Sequence, residues 1–239
     1  MSLELLVPID QEALLGMSLL PKQVLGKNIQ LHTSSSGLPE LKGLHIAIIG
    51  LNEYRNSFFP TPQYSLNSFR KKFYELYPGN WKLNIADLGD LPNGASIDDT
   101  YYAIKEIGYH LKQMNIIPIF LGGSHDMIFP MYQIYQEFKQ LANIVAVDRS
   151  FDFSQEEELI SGRSYMSKII MEKPNVLYNY TNLGFQNYYC AIEEKDLMRK
   201  LFFDSMRLGD VLDSVAETEP VFRDADIVGI DMKCLSWQA

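Results

Sequence analysis

The chain has 239 residues, of which 46% are hydrophobic, so it is long enough to bury the core of one large globular domain. Its formal net charge of -9 excludes a general nucleic-acid binder, because neutralising phosphates requires clustered Lys and Arg. We expect a cytoplasmic protein, since the sequence has no apolar run of membrane-spanning length and no recognisable secretory signal. Cys190 and Cys234 are too few for a disulfide framework, and we expect both to be core thiols.

Residues 1–40 are predicted to form an N-terminal arm and linker, and residues 41–239 an α/β domain. The arm carries apolar residues at roughly helical spacing and ends in the Ser-, Gly- and Pro-rich loop 33–40. From there on, β-branched runs recur along the chain. The predicted strands are LHIAIIGL (44–51), KLNIADLG (82–89), IIPIFL (116–121), NIVAVD (143–148), NLGFQNYYC (182–190) and DIVGID (226–231).

Amphipathic segments lie between these strands. The best-defined helix begins with Ser96 as its N-cap and has Asp99 three residues later. The alternation of strands and helices favours a three-layer α/β/α fold with a mostly parallel central sheet. The predicted helices are NSFRKKFYELY (67–77), SIDDTYYAIKEIGYHLKQM (96–114), MIFPMYQIYQEFKQL (127–141), SYMSKIIMEK (164–173) and IEEKDLMRKLF (192–202).

Three of the predicted strands end in residues that are common metal ligands. LGGSHD supplies His125, VDRSFD supplies Asp148 and Asp152, and GIDMK supplies Asp231. Because the carboxyl ends of parallel strands meet in one crevice, we expect these four side chains to lie close together. One imidazole and three carboxylates suit a divalent ion such as Mn²⁺. Each residue also has a structural alternative, such as capping a helix or bonding the first turn after its strand.

The same stretches resemble the ureohydrolases, the family of arginase, agmatinase and formimidoylglutamase. Members carry Gly-Gly-x-His, Asp-x-His-x-Asp and Ser-x-Asp-x-Asp, whose six ligands hold two manganese ions. This chain has GGSH, DRSFD and GIDMK in the same order. IADLGDLPNGASIDDTYYAIKEIGYHLK, NLGFQNYYC and MRLGDVLDSVAETEPVFRDADIVGID are most similar to the formimidoylglutamase-like branch. The resemblance covers residues 44–235 and implies an arginase-like fold.

Two positions depart from the family pattern. Ser150 stands where the second histidine of the family would be, and Lys233 stands where the last aspartate would be. In the family, the four residues at the strand ends are ligands of one ion, and both departures affect the other ion. The resemblance therefore implies at most one bound Mn²⁺, with the Lys233 ammonium near the vacated second position. The alternative is that Lys233 turns to solvent and the aspartates spread apart.

These departures imply a ureohydrolase-like protein, related to hydrolases of guanidino and formimidoyl C–N bonds, with weak or no activity. The alternative is an active mononuclear Mn-dependent hydrolase that releases formamide, ammonia or urea, with Asp148, Asp231 and Lys233 as catalytic residues. Arginases have a proton-shuttling histidine after the middle motif, whereas here no histidine follows His125. A third hypothesis, a nucleotide-binding domain, rests on IIGLNE after the first strand, but the glycine fingerprint is missing.

The expected ligand is a small amidine or an amino-acid-like molecule, recognised by the loops 52–64 and 152–164. No nucleic-acid or membrane partner is expected. Family members continue for several strands and helices beyond the last metal motif, whereas only CLSWQA follows Lys233 here. We therefore expect a fold that is incomplete at its C-terminus, with the exposed edge covered in a homo-oligomer.

Overall fold

The computed structural model describes residues 2–57, 65–154 and 160–234. Its named strands form two four-stranded sheets, in which all neighbouring strands are parallel. The predicted parallel α/β fold is confirmed. The strands are β1 (Gln30–Leu31), β2 (Ile46–Leu51), β3 (Ile85–Leu91), β4 (Ile117–Gly122), β5 (Ala142–Val147), β6 (Leu177–Phe185), β7 (Asp204–Arg207) and β8 (Ile227–Ile230).

Each predicted helix is present, although its bounds are shorter than the sequence pattern suggested. The α-helices are α1 (Gln11–Leu14), α2 (Leu25–Asn28), α3 (Leu66–Glu75), α4 (Ile97–Gln113), α5 (Ile128–Phe138), α6 (Tyr165–Met171), α7 (Ile192–Lys200), α8 (Leu208–Asp213) and α9 (Thr218–Arg223). Single turns of 3₁₀ helix lie at Ser2–Leu5, Met17–Leu19, His125–Met127, Asn187–Tyr189, Val215–Glu217 and Met232–Cys234.

The chain divides into two compact units. Among the described residues, the first unit comprises 2–55 and 65–123, and its sheet has the order β1-β3-β2-β4. The second comprises 56–57, 124–154 and 160–234, and its sheet has the order β7-β6-β5-β8. Because β1 pairs with β3, the first 40 residues contribute a strand to the first sheet. The predicted boundary between an arm and a domain at residue 40 stays a prediction.

The end of the second unit's sheet differs most from the sequence-based prediction. The segment predicted as a strand at 182–190 leaves the sheet after Phe185, and a 3₁₀ turn follows at Asn187–Tyr189. The strand instead begins at Leu177. β7, α8 and α9 were not predicted, because each has only four to six residues and too few apolar positions to give a period.

A buried ion pair joins α3 to β3 in the first unit. The side chain of Arg70 is 1% exposed and donates to the Asp87 carboxylate at 2.8 and 3.0 Å and to Asp90 at 2.7 Å. Tyr74, one turn further along α3, donates its hydroxyl to Asp87 at 2.8 Å. The guanidinium thus compensates the buried Asp87 carboxylate and the half-buried Asp90 carboxylate.

The long helix α4 begins where the sequence predicts. Ser96 Oγ accepts a hydrogen bond from the backbone N–H of Asp99 at 3.1 Å, and the Asp99 carboxylate accepts one from the Ser96 N–H at 2.8 Å. This capping box satisfies two N–H groups that have no partner within the helix. The stripe of Ile104, Ile107 and Leu111 is fully buried, so the predicted apolar face of α4 packs in the core.

Replacing Arg70 with Met should lower the free energy of unfolding by about 3–5 kcal/mol, because Asp87 and Asp90 would lose their buried counter-charge. Urea denaturation measures this change. The control is Lys72→Met on the same helix, since Lys72 is 82% exposed and pairs with Glu75 in solvent. That variant should lose less than about 1 kcal/mol. Equal losses in the two variants would contradict the structural role of the buried pair.

Candidate metal centre

The middle and last motifs follow neighbouring strands of one sheet. β5 and β8 are paired in parallel, with Val147 opposite Ile230, and Asp148 and Asp231 come directly after them. The Asp231 N–H donates to the Val147 carbonyl at 3.0 Å, which extends this pairing by one residue. The strand before His125, β4, belongs to the sheet of the first unit instead. The three predicted strand ends therefore come from two sheets rather than from one.

Two glycines lead the chain from β4 to His125. Gly122 and Gly123 have φ angles of 89° and 75°, a left-handed conformation that glycine adopts without a steric penalty. A Cβ on Gly122 would lie 2.4 Å from the Leu51 carbonyl oxygen, so no larger residue fits there. Ser124 then donates its hydroxyl to the Asp126 carboxylate, and His125 opens a 3₁₀ turn. The GGSHD sequence thus fixes the backbone on either side of the imidazole.

The centre itself is formed by His125, Asp148 and Asp152. The Nδ1 atom of His125 lies 3.1 Å from Asp148 Oδ2 and 3.3 Å from Asp152 Oδ2. One potential ligand atom from each residue lies within 4.8 Å of the others, and all three side chains are at least nine-tenths buried. Among the described parts of the chain, this is the one such group of three or more His, Cys, Asp or Glu residues. The predicted first histidine and both aspartates of the middle motif are therefore brought together.

The charges of this group are strongly coupled. Burial disfavours a charged imidazole, but the hydrogen bonds and charges of Asp148 and Asp152 outweigh it and raise the pKa of His125 to about 10. Burial and the neighbouring Asp148 carboxylate raise the pKa of Asp152 to about 7. Asp148 is also desolvated, yet its hydrogen bond to His125 holds its pKa below the usual value. An imidazolium thus supplies the positive charge that these two acids require.

Ser150 supplies a hydroxyl to both acids. Its Oγ lies 3.0 Å from Asp152 Oδ1 and 3.4 Å from Asp148 Oδ1, and its backbone N–H donates to Asp148 Oδ1 at 3.1 Å. Asp152 has a φ of 59°, so the tight turn between the two acids directs both carboxylates towards the serine and the imidazole. Ser150, the position at which the sequence resemblance leads us to expect a histidine, is therefore a hydrogen-bond donor to both acids.

The group fits a divalent ion by its donor set. A neutral imidazole nitrogen and two carboxylates are ligands that Mn²⁺ accepts, and they already converge in a buried place. His125, Asp148 and Asp152 would hold the ion, which would replace the imidazolium proton as the counter-charge.

Two residues that were not among the predicted site residues, Tyr165 and Gly229, lie against the His125 imidazole. The Tyr165 ring meets the imidazole edge-on, with centroids 5.1 Å apart. The Nε2 atom of His125 is buried and has no hydrogen-bond partner among the described residues. A Cβ on Gly229 would lie 2.9 Å from that atom and 2.2 Å from Ile128 Cδ1. An isolated glycine inside the DIVGID strand was the available sequence signal for this close approach.

Asp231 and Lys233 form a separate ion pair beside the centre. The Asp231 carboxylate accepts from the Lys233 backbone N–H at 2.9 Å and lies 3.3 Å from its Nζ. Asp231 is not part of the three-residue group among the described residues, so its predicted place as a metal ligand stays a prediction. Lys233 thus pairs with Asp231 while its side chain stays 37% exposed, so the predicted position of its ammonium at a second metal site stays a prediction.

Neither cysteine is bonded to the other. Burial raises the pKa of Cys190 to about 12. Burial and the charges of Asp148 and Asp231 raise the pKa of Cys234 to about 12. The Cys234 Sγ lies 3.3 Å from the Val147 carbonyl oxygen. The raised pKa values disfavour the thiolate, which is the nucleophilic form of cysteine. Cys190 is a buried thiol as predicted, whereas Cys234 is only half-buried.

The turn after β2, which suggested a nucleotide site, is filled by side chains of the protein. Glu53 is fully buried and accepts hydrogen bonds from Arg55 and from the Thr100 hydroxyl. Arg55 also donates to the carbonyls of Gly94 and Ala95. A buried carboxylate at this turn disfavours phosphate binding.

None of the helices in the described ranges is long and apolar enough to cross a membrane.

Comparison with known proteins places the chain in a family. The family model described as "Arginase family" matches residues 46–235. The chain belongs to the arginase family. The ureohydrolase resemblance of its sequence is thereby confirmed over nearly the same range, and a search of curated proteins returns no significant match.

Solved structures of arginase-family proteins have the same fold. The formimidoylglutamase of Bacillus subtilis is 14% identical, with a TM-score of 0.72 over 91% of this chain and 73% of that one. The Trypanosoma cruzi formiminoglutamase, solved with Mn²⁺, is 16% identical, with a TM-score of 0.66 over 77% of this chain and 68% of that one. A hypothetical agmatinase from Burkholderia thailandensis is 15% identical, with a TM-score of 0.65 over 85% of this chain and 64% of that one. The predicted arginase-like α/β fold is confirmed.

Replacing Gly229 with Ala should lower the free energy of unfolding by about 1–3 kcal/mol, because the new methyl group would press on Ile128 and on the buried imidazole of His125. Urea denaturation followed by circular dichroism measures the effect. The control is Gly209→Ala in α8, where an added Cβ meets no atom within 4 Å. That variant should be unchanged or more stable by up to about 1 kcal/mol. Equal stability of both variants would show that the contact behind His125 is loose.

Proposed function

We propose that this arginase-family protein binds one divalent metal ion, of the Mn²⁺ type, and has weak or no hydrolase activity on amidine C–N bonds. The observation that carries the proposal is the convergence of His125, Asp148 and Asp152 on one buried point while Ser150 fills the position of a family ligand with a hydroxyl. This arrangement supports a centre that keeps the ligands of one ion and has lost ligands of a second.

Asp231 would complete the ligand set. Its carboxylate lies 3.3 Å from Lys233 Nζ, and its chain position directly after β8 is next to that of Asp148 after β5. Charge balance supports this arrangement. One Mn²⁺ and one lysine ammonium carry three positive charges, which match the carboxylates of Asp148, Asp152 and Asp231. A family site with two Mn²⁺ and four carboxylates is balanced in the same way.

The departures explain why activity would be low. When bound, the ion supplies a Lewis acid for hydrolysis of an amidine or guanidino carbon. Lys233 would contribute only a positive charge near the reacting group, since an ammonium cannot coordinate. Asp148 and Asp231 would orient the ion, and no histidine after His125 is available to transfer a proton. The substrate class we propose is a small amidine or amino-acid-like molecule, bound by a cytoplasmic homo-oligomer.

An active mononuclear hydrolase is the second candidate. It is favoured by one observation, the burial of all three converging ligands, because a desolvated site strengthens every electrostatic interaction within it. A turnover assay for ammonia, formamide or urea release in the presence of Mn²⁺ separates the two candidates. We expect at most a weak rate. A robust rate that Asp148→Ala abolishes would favour the active enzyme.

Calorimetric titration with Mn²⁺ should give one ion per chain. Replacing Asp152 with Asn should weaken Mn²⁺ binding by at least about 10–100-fold. That range is the loss observed when a residue that is hydrogen-bonded to a metal ligand is removed, and Asp152 would be a ligand itself. The control is Asp196→Asn, which removes an exposed carboxylate of α7 that pairs with Arg199 and should leave the affinity unchanged. The failure of saturating Mn²⁺ to bind the wild-type protein would remove the proposal.

Restoring the two family residues should restore the second site. The double variant Ser150→His with Lys233→Asp should bind two Mn²⁺ per chain, because a histidine nitrogen and a fourth carboxylate replace a hydroxyl and an ammonium. The matched control is Ser154→His with Lys200→Asp, which makes the same residue changes outside the motifs and should still bind one. A stoichiometry of one in the restored variant would contradict the assignment of Ser150 and Lys233 to the lost site.

A further inference from the structure

A cleft of about 280 Å³ lies on the second sheet, where β5, β6 and β7 begin, and the proposed metal function does not use it. Its position on β5 is near Asn143, whereas the acids of the metal centre follow the other end of that strand. The lining residues are Asn143, Ile144, Val145, Tyr178, Asn179, Thr181, Asp204, Pro220, Val221 and Asp224.

The floor of the cleft is a row of side chains on one face of the sheet. Thr181 of β6 is in register with Val145 of β5 and with Asp204 of β7, and Asn179 is in register with Asn143. Partners in parallel strands project to the same face. The hydrogen bond of 2.8 Å from Asn179 Nδ2 to Asp204 Oδ2 agrees with this placement. Thr181 and Asp204 therefore face the same space.

The wall of the cleft is α9 and the residue that follows it. Asn143 Nδ2 donates to the Asp224 carbonyl at 2.9 Å, which joins the start of β5 to the end of this helix. Pro220 and Val221 of α9 add apolar surface to this wall. The cleft thus combines an apolar wall with a polar floor.

Two polar groups of the cleft have no partner. Thr181 is only 6% exposed, and its hydroxyl forms no hydrogen bond within the described part of the chain. Asn143 Oδ1 is buried and likewise has no partner among those residues. Polar groups of nearly buried side chains are usually hydrogen-bonded in native proteins. Asn143 Oδ1 is enclosed, whereas the Thr181 hydroxyl is not among the fully enclosed atoms and can accept a donor from the cleft. A bound molecule with several N–H groups would supply that donor.

The charge of the cleft lining determines the charge of the molecule that it would bind. Asp204 and Asp224 are acidic, and none of the lining residues is basic. We propose that the cleft binds a small organic cation, an alkylammonium or alkylguanidinium ion. Its head group donates to the Asp204 carboxylate and the Thr181 hydroxyl, and its alkyl part lies against the apolar wall.

The chemistry of the lining favours an organic cation over a metal ion. One oxygen of Asp204 already accepts from Asn179, so few charged oxygens remain for coordination. Hard divalent ions take six or more oxygen ligands, whereas much of this lining is aliphatic or aromatic.

The test is calorimetric titration of the full chain at low ionic strength with butylguanidinium chloride, and with butylurea as a neutral probe of similar shape. We expect the guanidinium to bind and the urea not to bind. The double variant Asp204→Asn with Asp224→Asn should bind at least about tenfold more weakly, since it removes charge-assisted hydrogen bonds. Asp213→Asn, a change in α8 outside the cleft, should bind like the wild type.

Two further variants test the buried hydroxyl and the independence of the cleft. Thr181→Val should weaken butylguanidinium binding, and Thr181→Ser, which keeps the hydroxyl, should retain it; urea denaturation checks that both fold. Asp152→Asn, in the metal centre, should not change it, so failure of the metal proposal leaves this test intact. Unchanged binding in the Asp204 and Asp224 double variant, or equal binding of butylurea, would overturn the proposal. So would carboxylate-dependent binding of Ca²⁺ without binding of butylguanidinium.

Discussion

The chemistry of this protein depends on charge compensation at one buried point. Asp148 and Asp152 lie almost completely out of water, and each would be costly without a positive partner. The imidazolium of His125 supplies that charge between them. The compensation is incomplete, because burial and the neighbouring Asp148 carboxylate together outweigh the imidazolium and raise the pKa of Asp152 to about 7. A divalent ion with a neutral imidazole would satisfy both acids at once.

Other buried acids of the chain are compensated by arginine. Asp87 and Asp90 share the guanidinium of Arg70, and Glu53 pairs with Arg55. Arginine keeps its proton at any ordinary pH, so these pairs are permanent and structural. A histidine can instead release its proton to water when a metal ion binds its ring nitrogen. The metal centre thus differs from the structural ion pairs by the type of its cation, although all of them obey the same electrostatic rule.

Membership of the arginase family relates the histidine-based group to metal binding. The chain brings the imidazole and both acids of the middle motif together, and it has a hydroxyl at Ser150 and an ammonium at Lys233, the two positions at which we propose that family ligands are replaced. Both replacements are hydrogen-bond donors to acids of the site. They preserve local neutrality while removing coordination, which is consistent with a single-ion centre. The cleft at the start of β5 differs from this centre, because none of its lining residues is a cation that would neutralise Asp204 and Asp224.

Sequence periodicity determined the parallel α/β fold, the capped start of α4 and the chemical types at the metal centre, because these depend on residues close together in the chain. Tertiary structure decided the rest. It assigned β4 to one sheet and β5 with β8 to another, it paired Asp231 with Lys233, and it brought Gly229 against the imidazole. These features depend on the pairing and register of strands that are distant in sequence. Local sequence patterns do not show which strands pair with each other.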